Sequence, residues 1–270
     1  MRAACFGVVA TVVLSHAVLA EDKSSYALPK PTGQFLVGRT IEWWTDHDRR
    51  EQATSEDHER ELQAIIYYPA NGAGKHAAYY PGLTGLGRVP ETKLLARHFG
   101  SAWAAVEGGL VQSNAYADAP FSKNLGKCPV LVFSPGGSAP VLAYSAQLEE
   151  LASHGYVVVG LNHPYDTALI IRPDQRFIPF VDQSPQQPGP PSVAGLPGFT
   201  HGDFMDIAEL GAVVTRTNKS TAQSNLELAN HLTLAFFDAM LKHDNDSWRQ
   251  LVMNPPEGVS IESFGNRHIQ

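Results

Sequence analysis

Cysteine is scarce in this chain. Its 270 residues contain two. Cys5 falls in an N-terminal stretch that reads as a removable leader, which leaves Cys128 with no partner for an intramolecular disulfide. Its place just before an apolar run suggests a buried thiol, not a nucleophile. Charge is thin as well: 17 % of residues are charged, the formal net charge is -7 and the pI is near 5.8. A mildly acidic chain without a basic cluster gains nothing from polyanions, so nucleic acid is excluded as a natural partner, and no patch marks docking to an anionic membrane. No apolar run reaches the roughly 20 residues of a bilayer-spanning helix. HExxH, paired cysteines and clustered histidines are all missing. His201 with Asp203, or His163 with Asp166, would be only partial ligand pairs, so neither a metal site nor a cofactor is expected. The most consequential absence is a serine in a G-x-S-x-G setting. Gly137-Ser138-Ala139 lacks the spacing, and Ser134, Ser145 and Ser153 lack flanking glycines.

What is present is an ordinary globular composition, 43 % hydrophobic, enough to bury a core. Residues 1–20 read as a secretory signal: Arg2 supplies the positive end, Phe6 to Leu14 the short apolar core, and Val18 and Ala20 the small residues before a cleavage site. The competing reading is an uncleaved helical anchor. The expected product is one exported domain over residues 21–270. Asn218-Lys219-Ser220 and Asn245-Asp246-Ser247 are sequons, a pattern short enough to arise by chance.

Along the chain, residues 24–60 look polar and irregular, with Trp43-Trp44 the main apolar feature. Leu62 to Tyr68 reads as a strand. Helices are expected near 91–98 and 100–106. Pro129 to Phe133 is a short continuous apolar run of the kind buried on both faces of a sheet. Residues 141–153 carry Leu142, Tyr144, Leu148 and Leu151 at helical spacing, with Gly155 as a stop. Tyr156 to Leu161 is a second buried strand. Strand, glycine turn, helix, strand is a βαβ unit, which implies parallel pairing and an α/β sheet with flanking helices. A Pro-rich loop follows at 184–199, then a short helix within 204–214. Residues 225–242 are the clearest helix, with Leu228, Leu232, Ala235, Phe236 and Ala239 as its apolar stripe.

Two places carry candidate chemistry. Gly136-Gly137 follows a buried strand, and a glycine turn there exposes backbone N–H groups at the ligand-facing edge of a parallel sheet. Such donors can stabilise the oxyanion of a tetrahedral intermediate, worth roughly 3 kcal/mol each; the plain alternative is a tight turn that needs glycine for positive φ. His201 lies between the Pro-rich loop and a helix, where a triad histidine falls in the order nucleophile, acid, histidine; the plain alternative is a surface histidine. His163 and Asp166 read as strand-ending and turn-forming residues.

Taken together these segments resemble the plasma and isoform II platelet-activating-factor acetylhydrolases. Leu28 to Gly33 with Val37 to Thr40 is similar to that family's N-terminal opening, and Glu61 to Pro69 to its first core strand. Pro129 to Ser138 resembles its oxyanion turn. Tyr144-Ser145, Leu151 to Val158 and His163 to Asp166 follow in the family's order. Phe199 to Asp206 resembles the segment around its catalytic histidine, and His231 to Lys242 its closing helix. The resemblance implies an α/β-hydrolase fold and a secreted, calcium-independent serine esterase acting on the sn-2 short or acetyl ester of phospholipids. It makes phospholipid the substrate, with transient contact at a lipid surface. Gly136 and Gly137 become the oxyanion hole and His201 the general base. The nucleophile has no counterpart here, nor does the acid: Asp182, Asp203 and Asp206 lie in no matching loop. The family's segment between the His163 strand and the His201 loop is longer, which locates an internal gap near residues 184–195.

Three accounts stay open: an interrupted product of a working esterase, a catalytically dead relative that binds lipid or a partner, and hydrolysis by a relocated nucleophile such as Ser138. A sheet deprived of central strands has uncovered edges and apolar faces. Low stability and a tendency to aggregate are therefore expected.

Overall fold

The computed structural model describes residues 25–86, 89–182, 205–206, 210–211, 215, 219–242, 244–256 and 259. Residues 1–24, the Pro-rich stretch 184–199 and His201 lie outside the described residues. The strands are β1 (Tyr26–Ala27), β2 (Leu36–Arg50), β3 (Glu59–Ala70), β4 (His76–Ala78), β5 (Val111–Ala117), β6 (Val130–Phe133), β7 (Val157–Asn162), β8 (Leu169–Ile171) and β9 (Phe177–Pro179). The helices are α1 (Thr92–Phe99), α2 (Trp103–Glu107), α3 (Ser145–Ser153), α4 (Lys219–Leu241) and α5 (Asn245–Met253).

Seven strands form one mixed sheet in the order β1-β5-β2-β3-β7-β6, with β4 alongside β5, while β8 and β9 make a separate hairpin. The α/β architecture expected from the sequence is the one found. β6 and β7 pair in parallel, Val130↔Val157 through Phe133↔Gly160, joined by the crossover through α3. β2 and β3 pair antiparallel from Leu36↔Ala70 outward. The polar stretch that looked irregular is thus half of a long hairpin. Its 15-residue strand is fully buried only at Val37 to Arg39, partly covered at Ile41 and Trp43, and polar from Thr45 on, because its outer end projects past the core.

One face of the sheet is covered. Ile65, Tyr67, Leu131 and Val158 point into the core with Leu148, Leu151 and Ala152 of α3. Every residue of α3 is buried, because α4 lies on its other side: Gln147 Nε2 donates to Thr233 Oγ1 at 3.3 Å, and Tyr156 OH donates to Asp238 Oδ1 at 2.6 Å. The buried stripe of α4 is Leu226, Ala229, Ala235 and Ala239; Phe236, expected in it, is 42 % exposed, and Phe237 packs on the core in its place.

Among the described residues, the other face is exposed at the β6 end of the sheet. β6 is the last strand of the sheet, its Val130 and Val132 are 61 % and 70 % exposed, and no charged residue stands within it. The alternation that buries Leu131 sends these valines to the opposite side. Val157, the partner of Val130 on β7, lines a groove of about 350 Å³ with Thr40, Ile66, Tyr68, Asp118 and Phe121. Cys128, just before β6, is half-buried and not fully enclosed as expected.

Candidate active site

The loops after β6 and β7 leave the sheet side by side at the carboxyl ends of the parallel pair, where α/β sheets bind ligands. Local packing fixes both. Gly160 has no Cβ because one would stand 2.4 Å from Val141 Cγ1, and this close approach seats the 3-10 turn Val141–Tyr144 on β7. Val141 N donates to Asn162 Oδ1 at 2.8 Å, and Asn162 Nδ2 to Gln63 Oε1 at 2.7 Å. Ala168 N donates to Ser138 O at 2.8 Å, tying the two loops together.

The glycine turn is Ser134-Pro135-Gly136-Gly137-Ser138. Gly137 and Ser138 both have φ of 61°, the left-handed region that glycine enters freely and serine enters with strain. Gly136 and Gly137 are exposed. Among the described residues, their N–H groups have no hydrogen-bond partner. The N–H of Ala139 is committed to Gly136 O at 3.1 Å.

Two serine–histidine contacts flank this turn. Ser134 Oγ lies 2.8 Å from His163 Nε2. The His163 backbone does end the strand as the sequence suggests, with its N–H donating to Thr167 Oγ1 at 3.0 Å and its carbonyl accepting from Asp166 N and Thr167 N at 3.1 and 2.8 Å. The ring, however, reaches across to β6. On the other side His98 Nε2 lies 3.2 Å from Ser138 Oγ, which donates to Gly137 O at 2.6 Å. Burial and the nearby Arg97 charge hold the His98 pKa below its ordinary value. Neither contact was foreseen; an H-P after a strand whose parallel neighbour ends in Ser is the only sequence signal for the first, and His98 gives none.

Asp206, five positions past His201, is fully buried. Its Oδ1 accepts from Ala146 N at 2.9 Å and its Oδ2 from Tyr79 OH at 3.1 Å, which anchors this part of the chain under the first turn of α3. Burial, then the Asp206 charge, push the Tyr79 pKa well above its ordinary value. Asp206 is therefore a structural anchor. Asp182 is exposed beyond β9, and His201 and Asp203 lie outside the described residues. No group of three or more His, Cys, Asp or Glu able to hold a metal occurs among the described residues.

Beside the His163 loop opens a cleft of about 930 Å³. Pro164, Tyr165 and Phe177 form part of its wall, with Glu51, Glu61 and Arg172. Arg172 Nη1 pairs with Glu61 Oε2 at 2.5 Å and its guanidinium lies 4.2 Å above the Trp43 ring.

Residues 20–173 match the family model described as platelet-activating factor acetylhydrolase, isoform II. The chain belongs to this family. The matched span includes both loops of the site and ends just past β8. Over 176 residues the chain is 29 % identical to the "Probable 1-alkyl-2-acetylglycerophosphocholine esterase" of Arthroderma benhamiae, a match covering 61 % of this chain and 44 % of that one. The chain thus spans less than half the length of this curated relative. A solved ferulic acid esterase from Streptomyces cinnamoneus is similar with a TM-score of 0.45 and 23 % identity, over 57 % of this chain and 41 % of that one.

Proposed function

We propose that this acetylhydrolase-family chain derives from a secreted serine esterase that removes the sn-2 acetyl or short acyl group of phospholipids such as 1-alkyl-2-acetylglycerophosphocholine. In the complete enzyme, Gly136 and Gly137 donate their N–H groups to the oxyanion formed when a serine attacks the ester carbonyl. His201 takes the serine proton and returns it to the departing lyso-lipid alcohol. The nucleophile belongs to a segment that this chain lacks between the His163 loop and His201. The observation that carries the reading is the glycine turn: exposed, at the carboxyl end of β6, with both N–H groups unpartnered, inside the family-matched span. Export rests on residues 1–20. No helix among the described residues is long and apolar enough to cross a membrane.

The test is to recover the native protein from the medium of the producing organism, map its peptides, and assay it on acetylated phospholipid. Peptides bearing a G-x-S-x-G between residues 182 and 205, together with release of acetate that His201→Gln abolishes, support the reading. A native protein that runs through residues 180–200 as this chain does, and leaves the phospholipid intact, overturns it.

A further inference from the structure

The family resemblance gives Ser134 and His163 no chemical role, yet they make the closest serine–histidine contact at the site. We propose that Ser134 and His163 are a nucleophile–base pair served by the Gly136–Gly137 turn, giving the 270-residue chain a slow acyl-transfer activity of its own. The inference rests on reading that turn as an oxyanion site and adds a nucleophile to it.

Four observations carry it. Ser134 Oγ and His163 Nε2 are 2.8 Å apart, within reach for direct proton transfer. The two residues stand at the ends of hydrogen-bonded parallel strands, and the Ala168–Ser138 bond holds their loops in register, so the contact does not depend on one flexible side chain finding another. Ser134 is exposed, and the next residue with an N–H is Gly136, since Pro135 has none; the available donors are therefore Gly136 and Gly137. A cleft of about 930 Å³, the size of a small-molecule site, is walled by Pro164 and Tyr165 directly after the base, while Ser134, His163 and the glycine turn lie outside its lining.

The neighbouring pair is less suited. Ser138 Oγ is 3.2 Å from His98 and already donates to Gly137 O at 2.6 Å.

The step balances without a co-reactant. His163 Nε2 takes the Ser134 Oγ proton as Oγ bonds the ester carbonyl carbon, and the oxyanion rests on the glycine N–H groups. Collapse breaks the bond to the alkoxy oxygen, which leaves as the alcohol with the proton from His163. Water then repeats the sequence on acyl-Ser134 and releases the acid. No carboxylate is bonded to the His163 ring among the described residues, so the pair lacks an orienting third group, and slow turnover follows.

The experiment uses the 270-residue chain with p-nitrophenyl acetate. A burst of nitrophenolate matching the protein concentration is expected, with the acetyl group located on Ser134 by tandem mass spectrometry. Ser134→Ala, an exposed substitution whose unchanged circular dichroism confirms folding, should abolish the burst. His163→Gln should slow it by about 100-fold or more. Acetyl on Ser138 or on lysine amines, no burst at all, or a burst that survives Ser134→Ala overturns the proposal. Each of these outcomes concerns this chain alone and leaves the acetylphospholipid assay on the native protein to be decided separately.

Discussion

Replacing Val130 and Val132 by lysine should abolish the expected self-association of this chain at a moderate cost in monomer stability. Fully burying a valine stabilises by about 1.5 kcal/mol at the low end of the apolar range. With the two side chains 61 % and 70 % exposed, each contributes to the monomer only about a third of that, roughly 0.5 kcal/mol. Lysine's poorer strand propensity adds under about 1 kcal/mol per site. The folded monomer should therefore lose about 1–3 kcal/mol in all. Association weighs differently. If two copies meet along β6, four valines bury the remaining two-thirds of their surface, about 1 kcal/mol each. That is about 4 kcal/mol, close to a thousandfold in affinity, before the edge hydrogen bonds are added. The variant forfeits this and opposes like charges. Size-exclusion chromatography with light scattering over a wide concentration range reads the difference: concentration-dependent oligomers for the parent chain, monomer for the variant. A parent chain that stays monomeric at all concentrations and unfolds in one sharp thermal transition would refute the reasoning that its open edge and face are liabilities.

Three further outcomes are expected. Asp206→Ala strands the Ala146 N–H and the Tyr79 hydroxyl in the core and should lower unfolding free energy in urea by about 2–4 kcal/mol. Asp206→Asn, which keeps one acceptor and lets the Tyr79 hydroxyl turn round, should lose markedly less. Gly160→Ala places a Cβ 2.4 Å from Val141 Cγ1 and should destabilise by about 1–3 kcal/mol, partly recovered in the double variant with Val141→Ala; an additive double would argue against the contact. Glu150 bears on pH. Burial pushes its pKa up, but hydrogen bonds from His154 and Thr32 outweigh that and hold it below the ordinary 4.5. Because the folded value is depressed, its stabilisation is present above pH 4.5 and is lost as pH falls through the folded pKa. The melting temperature of the parent should thus drop more steeply below pH 4.5 than that of Glu150→Gln, and parallel curves would contradict the assignment.

The elements that could be read from sequence are those whose environment is uniform along their length. A continuous apolar run, a helical stripe and a second run announced β6, α3 and β7, but β6, expected to be buried on both faces, buries only Leu131 and turns Val130 and Val132 to solvent. β2 could not be read this way. Its inner end is buried and its outer end projects into solvent over the same strand, so its pattern changes from apolar to charged without a turn residue to mark it. α4 was found, with Ala235 and Ala239 inward as expected, but Phe236 was read inward in place of Phe237, because the two are adjacent and packing against Tyr156 decides which faces the core. The glycine turn was visible as a motif because glycine is tied to backbone geometry. The Ser134–His163 contact was not, since its partners are 29 residues apart and meet only through the β6–β7 pairing.

The uncovered edge and the unpartnered N–H groups are two aspects of one arrangement. For a serine on another strand to attack a carbonyl held by Gly136 and Gly137, its strand must run beside β6 and end level with the turn, because the reacting atom has to lie about 3 Å from nucleophile and donors alike. The β7 edge of β6 is filled, from Val130↔Val157 to Phe133↔Gly160. Among the described residues only the opposite edge remains, where β6 ends the sheet. The same deficit that leaves the proposed oxyanion donors without a strand-borne nucleophile therefore exposes the apolar strand most prone to self-association. A nucleophile can reach those donors by one further route, from the turn itself. Ser134, the first residue after β6 and already in contact with His163 at 2.8 Å, is the residue proposed for that route.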